Sequence, residues 1–116
     1  MKAVIPVKNN NDWKAELNPR FGRTPFFAVV DLDNEEIDFV NNEASNASSG
    51  AGVQAAQLVA DQQADIMLTP NIGPKAFSGL EKLNMKIFLA EGTVKEAVKN
   101  YKNNNLEEIS NPTNPS

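Results

Sequence analysis

Short apolar runs alternate with amphipathic helical segments through the second half of the chain, and this alternation limits the possible folds more than any other feature. The runs at 66–69 and 86–89 have the length and composition of strands buried on both faces of a parallel sheet. Apolar residues around these runs recur every three or four positions, as they do on one face of a helix. The second half therefore predicts βα units, with parallel strands and helices packed against the sheet.

Three helices are predicted from this periodicity and from the residues at their ends. Ser48 or Ser49 suits the N-cap of the first helix, and Pro74 suits the first position of the second. Thr93 and Glu96 have the spacing of a capping box, which begins the third helix. The predicted inward positions are Val53, Ala56, Val59 and Ala60 in the first helix, Ala76, Phe77, Leu80 and Leu83 in the second, and Ala97, Val98 and Tyr101 in the third.

The first half of the chain predicts three further strands. The run 2–7 is β-branched and apolar, and we expect its strand to end near Pro6. The runs 26–31 and 35–40 flank Asp33 and Asn34 and predict a hairpin. The element order is then β-β-β-α-β-α-β-α, an α/β fold with a mixed sheet. A length of 116 residues fits one domain, which we place at 1–109, followed by a polar tail at 110–116.

The composition excludes several classes of function. The chain contains no cysteine and no histidine, so it has no disulfides, no Cys nucleophile and no Ser-His or Cys-His relay. Fifteen acidic residues against eleven basic ones give a net charge of −4, which argues against general binding to nucleic acid or to an anionic membrane. The apolar run at the start is too short for a signal peptide or a membrane span. We expect a cytoplasmic protein.

The loops at the carboxyl ends of the parallel strands form the expected binding edge of such a sheet. If the second strand runs antiparallel to the first, the turn at 20–23 joins this edge and brings Arg20 and Arg23 there, with Lys8 and Lys75 as further candidates. Helix N-termini present free N–H groups and a partial positive charge, so this edge would suit an anion. Glycines at 50, 52, 73 and 92 would let a ligand approach the backbone.

Each of these motifs also has a structural explanation. Arg20 and Arg23 could form a solvated turn with Phe21 as a plug, which taken alone explains them better, and the segment 71–74 could be a simple turn between a strand and a helix.

The glycines and the carboxylates have structural explanations too. Gly50 and Gly52 match neither a P-loop nor a dinucleotide-binding fingerprint and are equally consistent with a flexible start to a helix. Asp31 and Asp33 have the spacing of a metal-binding pair, but a strand end followed by a turn explains them better. A nuclease would need further carboxylates, which the sequence does not place. Trp13, the one tryptophan, lies in a polar loop and could cover the core edge or stack on a ligand.

Five segments together resemble the dinitrogenase iron–molybdenum cofactor-binding family, the NifX-type domain that also ends NifB proteins. The resemblance covers residues 1 to about 109. It rests on the segments 1–6, 20–27, 50–56, 71–77 and 91–97, which occur in the order seen in that family.

The resemblance implies a ribonuclease-H-like fold whose five-stranded mixed sheet has the order 3-2-1-4-5, with strand 2 antiparallel. It also implies a non-enzymatic, nitrogen-fixation-related carrier that holds an iron–sulfur or iron–molybdenum cluster, or a precursor, as cargo. Family members that hold clusters generally offer a His or Cys to the metal, and this chain offers neither. Binding would then rest on charge-assisted hydrogen bonds. The site residues expected at the rim are Arg20, Phe21, Gly22, Arg23, Gly50, Gly52, Asn71, Ile72 and Gly73.

An interaction or regulatory module on the same fold, without cluster cargo, is the alternative. It would bind a protein partner through an exposed apolar patch around Trp13, Phe21 or the pair Phe26 and Phe27.

Overall fold

The computed structural model describes residues 1–46 and 50–113. Within these ranges the chain forms one mixed sheet of six strands and three α-helices. The strands β1 to β6 span Lys2–Val7, Phe26–Asp31, Glu36–Asn41, Ile66–Thr69, Lys86–Leu89 and Glu107–Glu108. The helices α1 to α3 span Ala51–Asp61, Pro74–Glu81 and Val94–Lys102. The α/β class and the predicted order of the first eight elements are confirmed.

The sheet has the strand order β3-β2-β1-β4-β5-β6. β2 is antiparallel to β1 and β3, whereas β4 is parallel to β1 and β5, as predicted. The predicted count of five strands was wrong, because β6 pairs antiparallel with β5 through Glu107 and Glu108. Two exposed glutamates are poor strand formers, so their local sequence gives no sign of this edge pairing.

The two faces of the sheet carry separate cores. Side chains alternate along each strand, so Val4 and Met67 pack under α1 and α2, while Ile5 and Leu68 pack under α3. β1 lies at the centre, and from Ala3 to Val7 its residues are buried, which is why an apolar run predicted it. The strand continues through Pro6 to Val7, one residue further than expected.

Two predicted inward positions are exposed. Val53 in α1 has 52% of its surface accessible, and Leu83, which follows α2, has 55%. The buried face of α1 consists of Ala51, Ala55, Ala56 and Val59, and Val53, two residues from both Ala51 and Ala55, lies away from it. The predicted N-cap at Ser48 or Ser49 lies outside the described residues, and Gly50 occupies the N-cap position. The capping box of Thr93 and Glu96 at the start of α3 is confirmed.

The pairing of the strands brings the predicted loops to one edge of the sheet, which we call the rim. Val7 at the end of β1 pairs with Phe26 at the start of β2, and Phe26 pairs with Asn41 at the end of β3. The carboxyl ends of the parallel strands β4 and β5 reach the same edge. The turn before β2 and the starts of α1 and α2 therefore meet at the rim.

Candidate functional site

A cavity of about 430 Å³ opens at the rim between the turn before β2, the start of α1 and the loop from β4 to α2. All nine residues predicted for the site line it, from Arg20 to Gly73. The described lining residues are Pro19, Arg20, Phe21, Gly22, Arg23, Gly50, Ala51, Gly52, Val53, Asn71, Ile72, Gly73, Pro74, Lys75 and Ala76.

The turn Phe21–Arg23 is held in place by buried polar side chains. Thr24 donates its hydroxyl to the carbonyl of Val7 at 2.6 Å. The amide of Asn42 donates to the carbonyls of Gly22 at 3.2 Å and Thr24 at 2.8 Å. Thr24 and Asn42 are almost wholly buried, so water does not reach these bonds. The two side chains supply the donors that the carbonyls would otherwise find in water. Asn42 was missed by sequence reasoning, because an asparagine in a polar segment looks the same whether it is buried or solvated.

Gly22 and Gly52 place two backbone segments in direct contact at the floor of the cavity. A Cβ on Gly22 would lie 2.9 Å from the amide nitrogen of Gly52 and 3.1 Å from its Cα. A side chain at position 22 would therefore push the turn away from α1. The nearby aromatic ring of Phe21 is buried and packs against Phe27 with the ring centres 5.3 Å apart.

Two helices direct their N-termini at the cavity. Gly50 caps α1 with φ of +71°, a left-handed conformation that glycine adopts without strain. The first intrahelical bond of α1 runs from the Gln54 amide to Gly50, and that of α2 from Phe77 to Gly73. In the first turn of each helix, the backbone N–H groups that precede these donors have no partner within the helix. Both N-cap residues are glycines and have no side chain that could accept a bond from these N–H groups. These N–H groups belong to Ala51, Gly52, Val53, Lys75 and Ala76.

The loop between β4 and α2 is fixed from both sides. The hydroxyl of the buried Thr69 donates to the carbonyl of Asn71 at 2.8 Å. From the C-terminal segment, Thr113 accepts a bond from the Ile72 amide at 2.9 Å, and its own hydroxyl donates to the side-chain oxygen of Asn71. Thr113 lies 41 residues beyond Ile72, so no local pattern predicts this contact.

The cavity is positively charged in a chain whose net charge is −4. Arg20, Arg23 and Lys75 line it, and no Asp or Glu occurs among its described lining residues. The side chain of Arg23 also donates to the Ser45 carbonyl at 3.2 Å, and this bond restricts the position of the guanidinium group. Three cations and the helix N-termini together create a site suited to an anion.

Other predicted members of the rim do not join this cavity. Lys8 forms an ion pair with Glu16 at 3.6 Å and is absent from the described lining, as is Gly92. Asp31 accepts bonds from the amides of Asp33 and Asn34, as expected of a turn. The described residues include no group of three acidic, His or Cys side chains that could hold a metal ion.

Part of the apolar patch considered for a protein partner is buried. Phe21 and Phe27 are 4% and 1% exposed, because both belong to the core under α1 and α2. Trp13 and Phe26 are half-buried against the other core. No helix in the described ranges has the length and apolar character to cross a membrane.

Comparison with known proteins places the chain in a family. The sequence profile described as dinitrogenase iron-molybdenum cofactor matches residues 1–104, which is most of the chain. The chain belongs to this family. A relative from Methanocaldococcus jannaschii, described as an uncharacterised protein, is 33% identical over 113 residues, covering 94% of this chain and 92% of the relative.

Two solved structures of similar proteins share the fold over nearly the whole chain. The apo form of the orange protein from Desulfovibrio gigas superposes with a TM-score of 0.91 at 30% identity, covering 97% of this chain and 96% of that one. A Thermotoga protein of the DUF35 family superposes with a TM-score of 0.83 at 25% identity, covering 99% of this chain and 98% of that one. The family membership implied by the five sequence segments is confirmed, while the nine site residues stay a prediction.

Proposed function

We propose that this protein binds an anionic iron–molybdenum or iron–sulfur cluster, or a precursor of one, as cargo in the rim cavity. The observation that carries the proposal is the charge of that cavity. Arg20, Arg23 and Lys75 line it with no carboxylate among the described lining residues. Family membership supplies the class of cargo, since the family is described by the iron-molybdenum cofactor.

The residues present fit an anion better than a directly ligated metal. The chain has neither His nor Cys, so the soft side chains that usually bind iron are absent. The arginines and the N–H groups at the starts of α1 and α2 would instead bond to the sulfides or to an organic carboxylate of the cargo. The backbone contact between Gly22 and Gly52 holds the turn that carries the arginines against the start of α1.

We further propose that the protein is a carrier and not an enzyme. The described lining of the cavity offers cations, amides and apolar groups, but no carboxylate that could act as a general base. A cytoplasmic location remains part of the proposal. So does a ribonuclease-H-like assignment, supported by the strand order β3-β2-β1-β4-β5 with an antiparallel β2.

The test is an anaerobic titration with isolated iron–molybdenum cofactor, followed by gel filtration and a metal count in the protein fraction. The wild-type chain is compared with Arg20→Gln/Lys75→Gln, in which both replaced side chains are exposed and form no ion pair within the described ranges. Lys82→Gln/Lys86→Gln removes the same charge from exposed positions outside the cavity and serves as the control.

We expect stoichiometric metal in the wild-type and control fractions and a large loss in Arg20→Gln/Lys75→Gln with unchanged thermal stability. Equal retention by all three proteins would contradict the site. No retention by the folded wild type would contradict the cargo.

A further inference from the structure

A second cavity of about 580 Å³ lies on the α3 side of the sheet and shares no described lining residue with the rim cavity. We call it the α3 groove. It is formed by the loop after β1, the turn between β2 and β3, and one face of α3. Its described lining residues are Trp13, Glu35, Lys95, Val98, Lys99, Lys102 and Asn103.

Three lysines run along one side of the α3 groove. Lys95, Lys99 and Lys102 are four and three residues apart, so they lie on one face of α3 and span roughly 10 Å along its axis. Val98 lies on the same face and is 6% exposed, which gives the groove an apolar floor. Neither Lys95 nor Lys99 forms an ion pair with any residue that the structure describes.

A carboxylate of the chain itself already occupies one end of the α3 groove. Glu35 Oε1 lies 3.1 Å from Lys102 Nζ, across 67 residues of sequence. Glu35 adopts φ of +55° in the turn between β2 and β3, where glycine or asparagine would be less strained. At this end of the row a lysine donates to a carboxylate, the group that pairs with an ammonium in a charge-assisted hydrogen bond.

Trp13 forms the opposite side of the α3 groove. It is half-buried and packs against the core under α3, so its ring is fixed while part of its surface stays accessible. Tryptophan is enriched at the centres of protein interfaces, and polar, solvent-accessible side chains surround those centres, as the lysines surround Trp13 and Val98 here.

We propose that the α3 groove docks an acidic segment of a partner protein. Its carboxylates contact Lys95 and Lys99 and displace Glu35 from Lys102, while an apolar side chain packs between Trp13 and Val98. An extended segment repeats its side chains on one face at about 6.6 Å, close to the roughly 6 Å rise from Lys95 to Lys99. A short segment can place its carboxylates at the lysines alone, whereas the continuous phosphates of a nucleic acid would extend over a surface whose net charge is −4.

The sole tryptophan makes the test direct, since the fluorescence of Trp13 reports on this groove alone. The probe is a short peptide of alternating glutamate and leucine, titrated at low ionic strength. We compare the wild type with Lys95→Gln/Lys99→Gln, with the matched control Lys82→Gln/Lys86→Gln, and with Glu35→Gln. A peptide with glutamine in place of glutamate, a DNA oligonucleotide and a small aromatic carboxylate are the competing ligands.

We expect saturable binding that weakens about tenfold in Lys95→Gln/Lys99→Gln, the size expected for two exposed charge contacts. The control should bind as the wild type does, and Glu35→Gln should bind a few-fold more tightly. Absence of binding, equal loss in both lysine pairs, or tighter binding of any competing ligand would overturn the proposal. Arg20→Gln/Lys75→Gln should bind the peptide normally, so this result is independent of the rim cavity.

Discussion

Gly22 and Gly52 are in direct backbone contact at the floor of the rim cavity. A Cβ on Gly22 would lie 2.9 Å from the Gly52 amide nitrogen, so the contact leaves no room for a side chain there. This contact fixes the distance between the turn that carries Arg20 and Arg23 and the start of α1. The shape of the candidate site therefore depends on the absence of a side chain.

Gly22→Ala should lower the free energy of unfolding by about 1–3 kcal/mol, the usual cost of overpacking a tight contact. The atoms nearest to the new methyl group belong to the backbone of Ala51 and Gly52, which cannot move aside as a flexible side chain could. Urea unfolding measures the change. The matched control is Gly79→Ala in α2, whose Cβ would meet Ala56 at an ordinary 3.5 Å and which we expect to be neutral or stabilising. Equal effects of the two substitutions would contradict the importance of the contact.

Asn42→Ala should destabilise the protein by about 2 kcal/mol, because the carbonyls of Gly22 and Thr24 lose the donor that satisfies them. The turn before β2 should also loosen and weaken binding at the rim cavity. Thermal unfolding and the cofactor titration measure the two effects. Asn41→Ala, an exposed change at the adjacent position, should leave both nearly unchanged. A stable Asn42→Ala protein with full binding would show that the side chain does not position the turn.

Thr113→Val should increase the affinity of the rim cavity for an anion by a few fold. The substitution removes the hydroxyl that accepts a bond from the Ile72 amide, so this N–H becomes available to an anion. The Asn71 oxygen to which the hydroxyl donates is an acceptor and does not contribute to anion binding. Because Thr113 is exposed, we expect little change in stability. Thr113→Ser keeps the hydroxyl and should behave as the wild type in the same titration. Weaker binding by Thr113→Val would mean that the contact supports the loop and does not compete with a ligand.

Asp31 should contribute to an acid-dependent loss of stability. The side-chain amide of Asn34, followed by backbone amides, donates to this carboxylate and holds its pKa below the ordinary 3.8. A carboxyl whose pKa is lowered in the folded state stabilises the fold at pH values above its pKa in the unfolded chain. This stabilisation is lost as the pH falls through its pKa in the folded state.

Urea unfolding over a pH series tests this behaviour. The difference in stability between wild type and Asp31→Asn should be constant near neutral pH and shrink below about pH 4. Asn34→Ala removes the main cause and should reduce the pH dependence. A difference that stays constant down to the most acidic sample would contradict the assignment.

The sequence by itself determined the class of fold and most of its elements. Apolar runs such as 66–69 must be buried on both faces, and the capping box of Thr93 and Glu96 fixes the start of α3 through local bonds. The rim could be predicted too, because strand direction places the loops before β2 and after β4 at one edge. These features depend on periodicity and on contacts between neighbours in the chain.

Tertiary structure decided the rest, because the deciding contacts join residues far apart in sequence. Asn42 and Thr113 position the rim across 20 and 41 residues, and both look like ordinary polar residues in the sequence. The pairing of β6 and the α3 groove beside Trp13 arise only when distant segments pack together. The local sequence indicates which secondary structure each residue favours. Only the packed chain shows which polar groups are removed from water and which partners they bond to.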